Sequence, residues 1–226
     1  MSSSTGVVAA VTIGQSPRPD IFDEIMPLLG AGVRVIEAGA LDGLSDDEIA
    51  AHRPAPYDHT LVTRLRDGRE VLVSRQRILP RVQACLDQVQ DQADLIVMLC
   101  TGTFPPFATR RLILYPEHLL FQLARAVAPG GRIGVLTPSA HQIADQERRW
   151  RDVASEVVVL PFSPYNAGDG DDLNRACAAF ADANVDIVVL DCLGYTVALK
   201  QAVRRLARRP VLLARTVLAR AVAELV

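Results

Sequence analysis

The chain has 226 residues, half of them hydrophobic and only 5% aromatic, which is enough to bury a core as one large domain or two small lobes. A formal net charge of -2 supplies no global basic field, so nucleic acid is not an expected partner. The longest apolar runs, such as Asp94 to Cys100 and Asp186 to Leu190, are far too short to cross a bilayer, so no membrane is expected either. Met1 to Gly6 reads as a short Ser/Thr tail without a charged or long apolar leader. The expected location is therefore cytoplasmic, with the four cysteines as reduced thiols.

Val7 to Ile13 is a continuous apolar run ending at Gly14, the pattern of a parallel strand buried on both faces. A helix is predicted over about 20–29, then a strand over 33–37. Ser45 followed three residues later by Glu48 forms a capping box that opens a short helix. Leu61 to Leu65 and Val71 to Val73 flank Asp67-Gly68, a hairpin signal that departs from plain alternation and belongs at an edge or flap. A helix over 76–90 and a strand over 95–99 follow; Pro105, Pro106 and Pro116 then break the chain before a helix over 117–127. Pro129-Gly130-Gly131 is the best lobe boundary, and beyond it the pattern resumes. Strands are predicted over 132–137, 157–160, 187–191 and 211–214, separated by helices over 140–153, 171–184 and 196–207, with a last helix at the end. Such alternation predicts an α/β fold with mainly parallel sheets flanked by helices. Lys200, Arg204, Arg205, Arg208 and Arg209 read as a solvated face.

The chain also repeats itself. Without a gap, Val82 to Gly102 lies over Asn174 to Gly194, with identities at Ala84/Ala176, Cys85/Cys177, Asp94/Asp186, Val97/Val189, Cys100/Cys192 and Gly102/Gly194. Val11 to Pro17 echoes Ile133 to Ser139. Cys85 and Cys177 fall mid-helix on the packed face and are expected to be inert. Cys100 and Cys192 lie just past the carboxyl ends of their strands, where open α/β sheets bind ligands. Thr101, Gly102 and Thr103 follow one of them, and Gly194, Tyr195 and Thr196 the other. Glycine permits close approach, hydroxyls can donate to a carboxylate, and Thr196 is the expected N-cap of the next helix.

Several motifs carry a family resemblance: Thr12 to Arg18, Val73-Ser74-Arg75, Ile133 to Pro138, Gln146 with Trp150, and Leu190-Asp191-Cys192-Leu193-Gly194-Tyr195. In these the chain resembles the AroM family and, more distantly, the aspartate/glutamate racemase superfamily. The resemblance implies two pseudo-symmetric lobes, 1–129 with 209–226 and 130–208, the final strand and helix returning to the first. It also implies a cleft between them, no cofactor, and a homodimer by superfamily analogy. Cys192 and Cys100 would be the catalytic thiols, one taking the proton beside a substrate carboxylate and the other delivering one to the opposite face. Superfamily racemases read Cys-Asn-Thr and Cys-Thr at these places, whereas Cys100-Thr101-Gly102 and Cys192-Leu193-Gly194 stand here.

Two thiols facing one carbon suit two-base chemistry, one as thiolate and one as thiol. A small anionic carboxylate substrate then needs donors. Ser16 and Arg18 come first, then Ser74 and Arg75, then Thr101, Thr103, Thr137, Ser139, Tyr195 and Thr196. The expected function is a cofactor-independent racemase or isomerase; the alternatives are a single-cysteine decarboxylase and a non-catalytic binding or regulatory protein. No dinucleotide or P-loop glycine motif occurs, the four histidines lack metal spacing, and there is no Cys-x-x-Cys, so neither a cofactor nor a metal is expected.

Overall fold

The computed structural model describes residues 6–165 and 170–226; the expected N-terminal tail over 1–5 lies outside the described residues. The elements in chain order are β1 (Val7–Thr12), α1 (Pro19–Leu29), β2 (Arg34–Gly39), α2 (Asp46–Ala51), β3 (Thr60–Arg64), β4 (Glu70–Ser74), α3 (Arg75–Val89), β5 (Leu95–Met98) and β6 (Ile113–Leu114). They continue with α4 (Pro116–Val127), β7 (Arg132–Thr137), α5 (Ile143–Trp150), β8 (Glu156–Pro161), α6 (Gly170–Asp182), β9 (Ile187–Leu190), α7 (Val197–Ala207), β10 (Val211–Leu213) and α8 (Ala214–Ala223). The capping box forms as predicted, with Ser45 accepting from the Glu48 amide and the Glu48 carboxylate accepting from the Ser45 amide. The helix predicted over 140–153 is shorter: a 3-10 turn over Ala140–Gln142 leads into α5.

Two four-stranded sheets result, ordered β2-β1-β5-β6 and β8-β7-β9-β10, and every pairing in both is parallel. The chain is thus an α/β protein of two sheets flanked by helices. All four residues of β5 and all four of β9 are buried, which explains their unbroken apolar runs. On one face of the first sheet Ala9, Val11, Ile96 and Met98 join Ile78, Val82, Cys85 and Leu86 of α3 in one core. In the second, Val188 and Leu190 pack with Cys177 and Phe180 of α6 and Val203 of α7.

The two sheets are equivalent strand for strand. Asp94 accepts from the Val7 amide at 2.8 Å and Asp186 from the Arg132 amide at 2.7 Å, so the paired aspartates tie equivalent strand starts together. Likewise the Leu99 amide donates to the Val11 carbonyl and the Asp191 amide to that of Leu136. These bonds set the register: Val8 answers to Ile133 and Thr12 to Thr137. The expected echo of Val11 with Ile133 is therefore three residues out of step, because uniformly apolar strands match at several registers.

By contacts, one unit holds residues up to Pro116 with Leu218–Val226, and the other holds Glu117–Val217. This differs from the expected division at 129/130 and 208/209. Helix α4 joins the second unit because Phe121 stacks on Trp150 of α5, ring centroids 4.2 Å apart, and Glu117 pairs with Arg149 at 3.1 Å. Strand β10 does not return to the first sheet. The α7 crossover brings it back beside β9, with Val188 opposite Val211, at the position that β6 fills in the first sheet. Two-residue β6 was not legible, being too short for a period.

The hairpin is inserted in the first half. Strands β3 and β4 pair antiparallel as a separate two-stranded sheet, around a turn with Gly68 at φ 96°. It approaches the loop after β1 closely: a Cβ at Gly14 would lie 2.6 Å from the Arg64 carbonyl oxygen. We expect Gly14→Ala to lower stability by about 1–3 kcal/mol through this overlap with backbone, measured as the shift in a urea unfolding midpoint.

Candidate functional site

Each four-stranded sheet ends its third strand in chain order in the same turn. After β5, the Gly102 amide donates to Sγ of Cys100 at 3.3 Å; after β9, the Gly194 amide donates to Sγ of Cys192 at 3.3 Å. An N–H aimed at sulfur supports a thiolate better than a thiol, because the ionised atom is the stronger acceptor. In both turns a side chain in place of the glycine would have to displace a neighbouring side chain. A Cβ would come within 2.6 Å of Leu61 Cδ2 at Gly102, and within 2.6 Å of the Tyr165 ring at Gly194. Cys192 is buried and packs in the second core, whereas Cys100 is half-buried against the first.

Around the first turn, several expected substrate ligands are committed within the fold. The Ser16 amide and hydroxyl both donate to Asp42, and Arg66 donates to the Ser16 carbonyl. Arg18 is 3% exposed, and its guanidinium forms a fork on Asp20, Nε to Oδ1 at 2.9 Å and Nη2 to Oδ2 at 2.8 Å, with a longer bond to Thr12 Oγ1. The two side chains named first as donors therefore hold the loop after β1 in shape. The Arg18 amide donates to Glu37 at 2.7 Å; burial nevertheless raises the Glu37 carboxyl above its usual range. Ser74 is fully buried and bonds to Gln76, and the Ala55 amide, then the Ser74 hydroxyl, hold the Asp58 carboxyl low. Arg75 is different. It is half-buried and its Nη1 donates to the Thr103 carbonyl at 3.2 Å, which places a cation on the Cys100 loop. Thr101 in that loop is buried and Thr103 exposed.

Around the second turn the motif residues form one polar network. Trp150 Nε1 donates to Gln146 Oε1 at 3.1 Å and to Asp191 Oδ2 at 3.2 Å, and Arg149 Nη2 lies 3.9 Å from the same Asp191 oxygen. Asp191 is 1% exposed, so it anchors the strand end that presents Cys192. The Tyr195 hydroxyl donates to the Phe162 carbonyl at 2.6 Å and is fully buried, so its donor does not reach a ligand. Thr137 donates to Gln142. Thr196 caps α7 by accepting from the Leu199 amide, and Ser139 accepts from the His141 amide, which leaves both hydroxyl protons to donate elsewhere.

Sequence reasoning missed Asp42, Arg66, Tyr165 and Arg215, whose roles depend on long-range contact. Fully buried Arg215 donates from Nε and Nη2 to the Leu193 carbonyl inside the Cys192 turn. The signal that could have found it is an arginine inside the otherwise apolar run Val211-Leu212-Leu213-Ala214-Arg215. Thr12 was also missed; the corrected register pairs it with Thr137, and both are fully buried. Among the described residues no group of three or more His, Cys, Asp or Glu is placed to hold a metal ion, and no helix is long and apolar enough to cross a membrane.

The other two thiols behave differently. Burial, with Asp42 adding to it, pushes Cys85 up to about 11, and burial raises Cys177 in the same direction. Both stay protonated through neutral pH, since a raised thiol ionises only above its shifted value. At pH 8, iodoacetamide is expected to label Cys85 in the native protein roughly two orders of magnitude more slowly than an ordinary thiol. Cys177 is expected to be slowed in the same sense, and peptide mapping by mass spectrometry reads both.

This pair of parallel sheets flanked by helices is a fold shared with solved racemases, isomerases and a decarboxylase. Allantoin racemase from Klebsiella pneumoniae superposes with a TM-score of 0.66 at 14% identity, over 97% of this chain and 87% of that one. Maleate isomerase from Pseudomonas putida gives 0.62 at 15% identity, over 97% and 92%. Unliganded arylmalonate decarboxylase gives 0.61 at 14% identity, over 98% and 92%. At such identities the likeness is one of fold. The AroM protein family matches residues 8–226, and the chain belongs to it. No curated protein matches this chain.

Proposed function

We propose that this chain is a cofactor-independent racemase or isomerase that moves a proton at the carbon beside the carboxylate of a small anionic substrate. The observation that supports it best is the repeated turn, a strand-end cysteine whose sulfur accepts an amide N–H at 3.3 Å in both halves. In this reading one of Cys100 and Cys192 is a thiolate that takes the α-proton. The other, as a thiol, delivers its proton to the opposite face, so the two exchange ionisation states over a turnover. Arg75, Thr101, Thr103, Ser139 and Thr196 are the donors we assign to the substrate carboxylate. The superfamily resemblance adds a homodimer and a cytoplasmic setting to the proposal.

The two turns are not identical, since Thr101 stands in one and Leu193 in the other. That difference favours, as a second reading, an enzyme in which a single cysteine protonates a carbanion, as a decarboxylase requires. Incubation of the protein with candidate chiral carboxylates in deuterated water separates the readings. Two-base chemistry predicts α-carbon exchange that falls by about two orders of magnitude or more in both Cys100→Ser and Cys192→Ser. Loss in one variant alone supports the single-acid reading. Tight binding with no exchange and no decarboxylation contradicts both and leaves a ligand-binding protein.

A further inference from the structure

We infer that Arg215 is a positioning residue that acts on Cys192 through one peptide group, and that Cys192 is the thiol held as the thiolate at rest. The inference rests on the proposed function in taking Cys192 as a reacting thiol, although its test needs no turnover.

Arg215 stands in the first turn of α8, directly after β10, and is fully buried. Its Nε lies 3.0 Å and its Nη2 2.7 Å from the Leu193 carbonyl oxygen, so both sides of the fork close on one acceptor. Leu193 contributes the carbonyl, and Gly194 the amide, of a single planar peptide unit whose C=O and N–H bonds point in opposite directions. The Gly194 amide is the one that donates to Cys192 Sγ at 3.3 Å. The order of contacts is thus guanidinium, carbonyl, amide, sulfur.

Two effects follow. Fixing the carbonyl fixes the rotation of the whole peptide plane, which matters next to a glycine whose backbone turns freely. Donation to the carbonyl also polarises the amide at the other end, and hydrogen bonds in such chains strengthen one another by about 10–30%. A guanidinium keeps its charge at every accessible pH, so this polarisation is constant.

The first half is built differently at the same position. Val188 faces Val211 in the second sheet, and the equivalent Ile96 faces Ile113 in the first. Counting on from those pairs, the place of Arg215 is taken by Glu117, a buried acid that binds Arg149. An ionised carboxylate cannot donate to a carbonyl. The repeat therefore carries a guanidinium after one sheet and a carboxyl group after the other, and the cation that Arg75 brings to the Cys100 loop binds the Thr103 carbonyl, which is not on the peptide unit of the Gly102 amide.

Among the described residues, the titratable or charged groups of the second unit near this turn include Asp191, Tyr195, Tyr165 and, through Asp191, Arg149. Asp191 opposes a thiolate, but its carboxylate is engaged by Trp150 Nε1 and lies 3.9 Å from Arg149. Tyr195 is committed to the Phe162 carbonyl, and Tyr165 lies over Gly194.

The test is the pH profile of iodoacetamide labelling at Cys192 and Cys100, followed by peptide mapping in the native protein, Arg215→Lys and Arg215→Gln. We expect the Cys192 midpoint to lie below that of Cys100. It should rise by about one pH unit in Arg215→Gln and less in Arg215→Lys, with Cys100 unmoved. An unmoved Cys192 midpoint in either folded variant, or an equal shift at both thiols, overturns the inference. Should both variants unfold, or the reagent fail to reach Cys192, the native protein decides by NMR. The Gly194 amide proton and the Arg215 Nε proton must then titrate together, and that titration must vanish in Cys192→Ser; if either signal stays still, the inference fails. A shifted thiol profile without turnover of any carboxylate would leave Arg215 in this role and remove the proposed reaction instead.

Discussion

A parallel strand covered on both faces can show its chemistry only at its end, and that constraint organises both halves of this protein. The four residues of β5 and of β9 are wholly buried, so no side chain along them can meet a ligand. The first residues able to do so stand past the last ladder bond, and there each half places cysteine, then a residue, then glycine. The glycine brings its amide round to the sulfur, and a Cβ on it would press on a neighbouring side chain. The candidate site is in this sense a by-product of how a doubly covered sheet terminates, which is why open α/β folds so often bind ligands there.

What surrounds the turns is largely scaffolding. Ser16 with Asp42, Arg18 with Asp20, Ser74 with Gln76, and Tyr195 with the Phe162 carbonyl are polar groups that satisfy one another inside the protein. Buried polar groups must find such partners or lose the solvation they had in water. Their conspicuous place in the motifs reflects how strictly the loops are shaped. The donors proposed for a carboxylate include Arg75 on the Cys100 loop and the hydroxyl protons of Ser139 and Thr196.

Much of this was legible in the chain. Buried parallel strands announce themselves as unbroken aliphatic runs, and the pairing of Cys100 with Cys192 and of Asp94 with Asp186 located one repeated unit in full. The aspartates prove to make the same bond to the same strand start in each half. The echo of β1 with β7 was three residues out, because Val, Ile, Leu and Ala in any order satisfy a strand buried on both faces. The lobe boundary at Pro129-Gly130-Gly131 was misplaced for another reason. Helix α4 belongs with the second unit through Phe121 stacked on Trp150, a contact between residues distant in sequence. Side-chain partners such as Asp42 for Ser16 and Arg215 for Leu193 are of the same kind, since no local pattern fixes which distant group will arrive.

The central claim is that Cys100 and Cys192 act on one carbon. A crystal structure of the protein with a small, unreactive carboxylate analogue of its substrate tests it most directly. The account predicts the α-carbon held with both sulfurs at about 3–3.5 Å on opposite faces. An analogue bound against one sulfur only, or away from both, would contradict it.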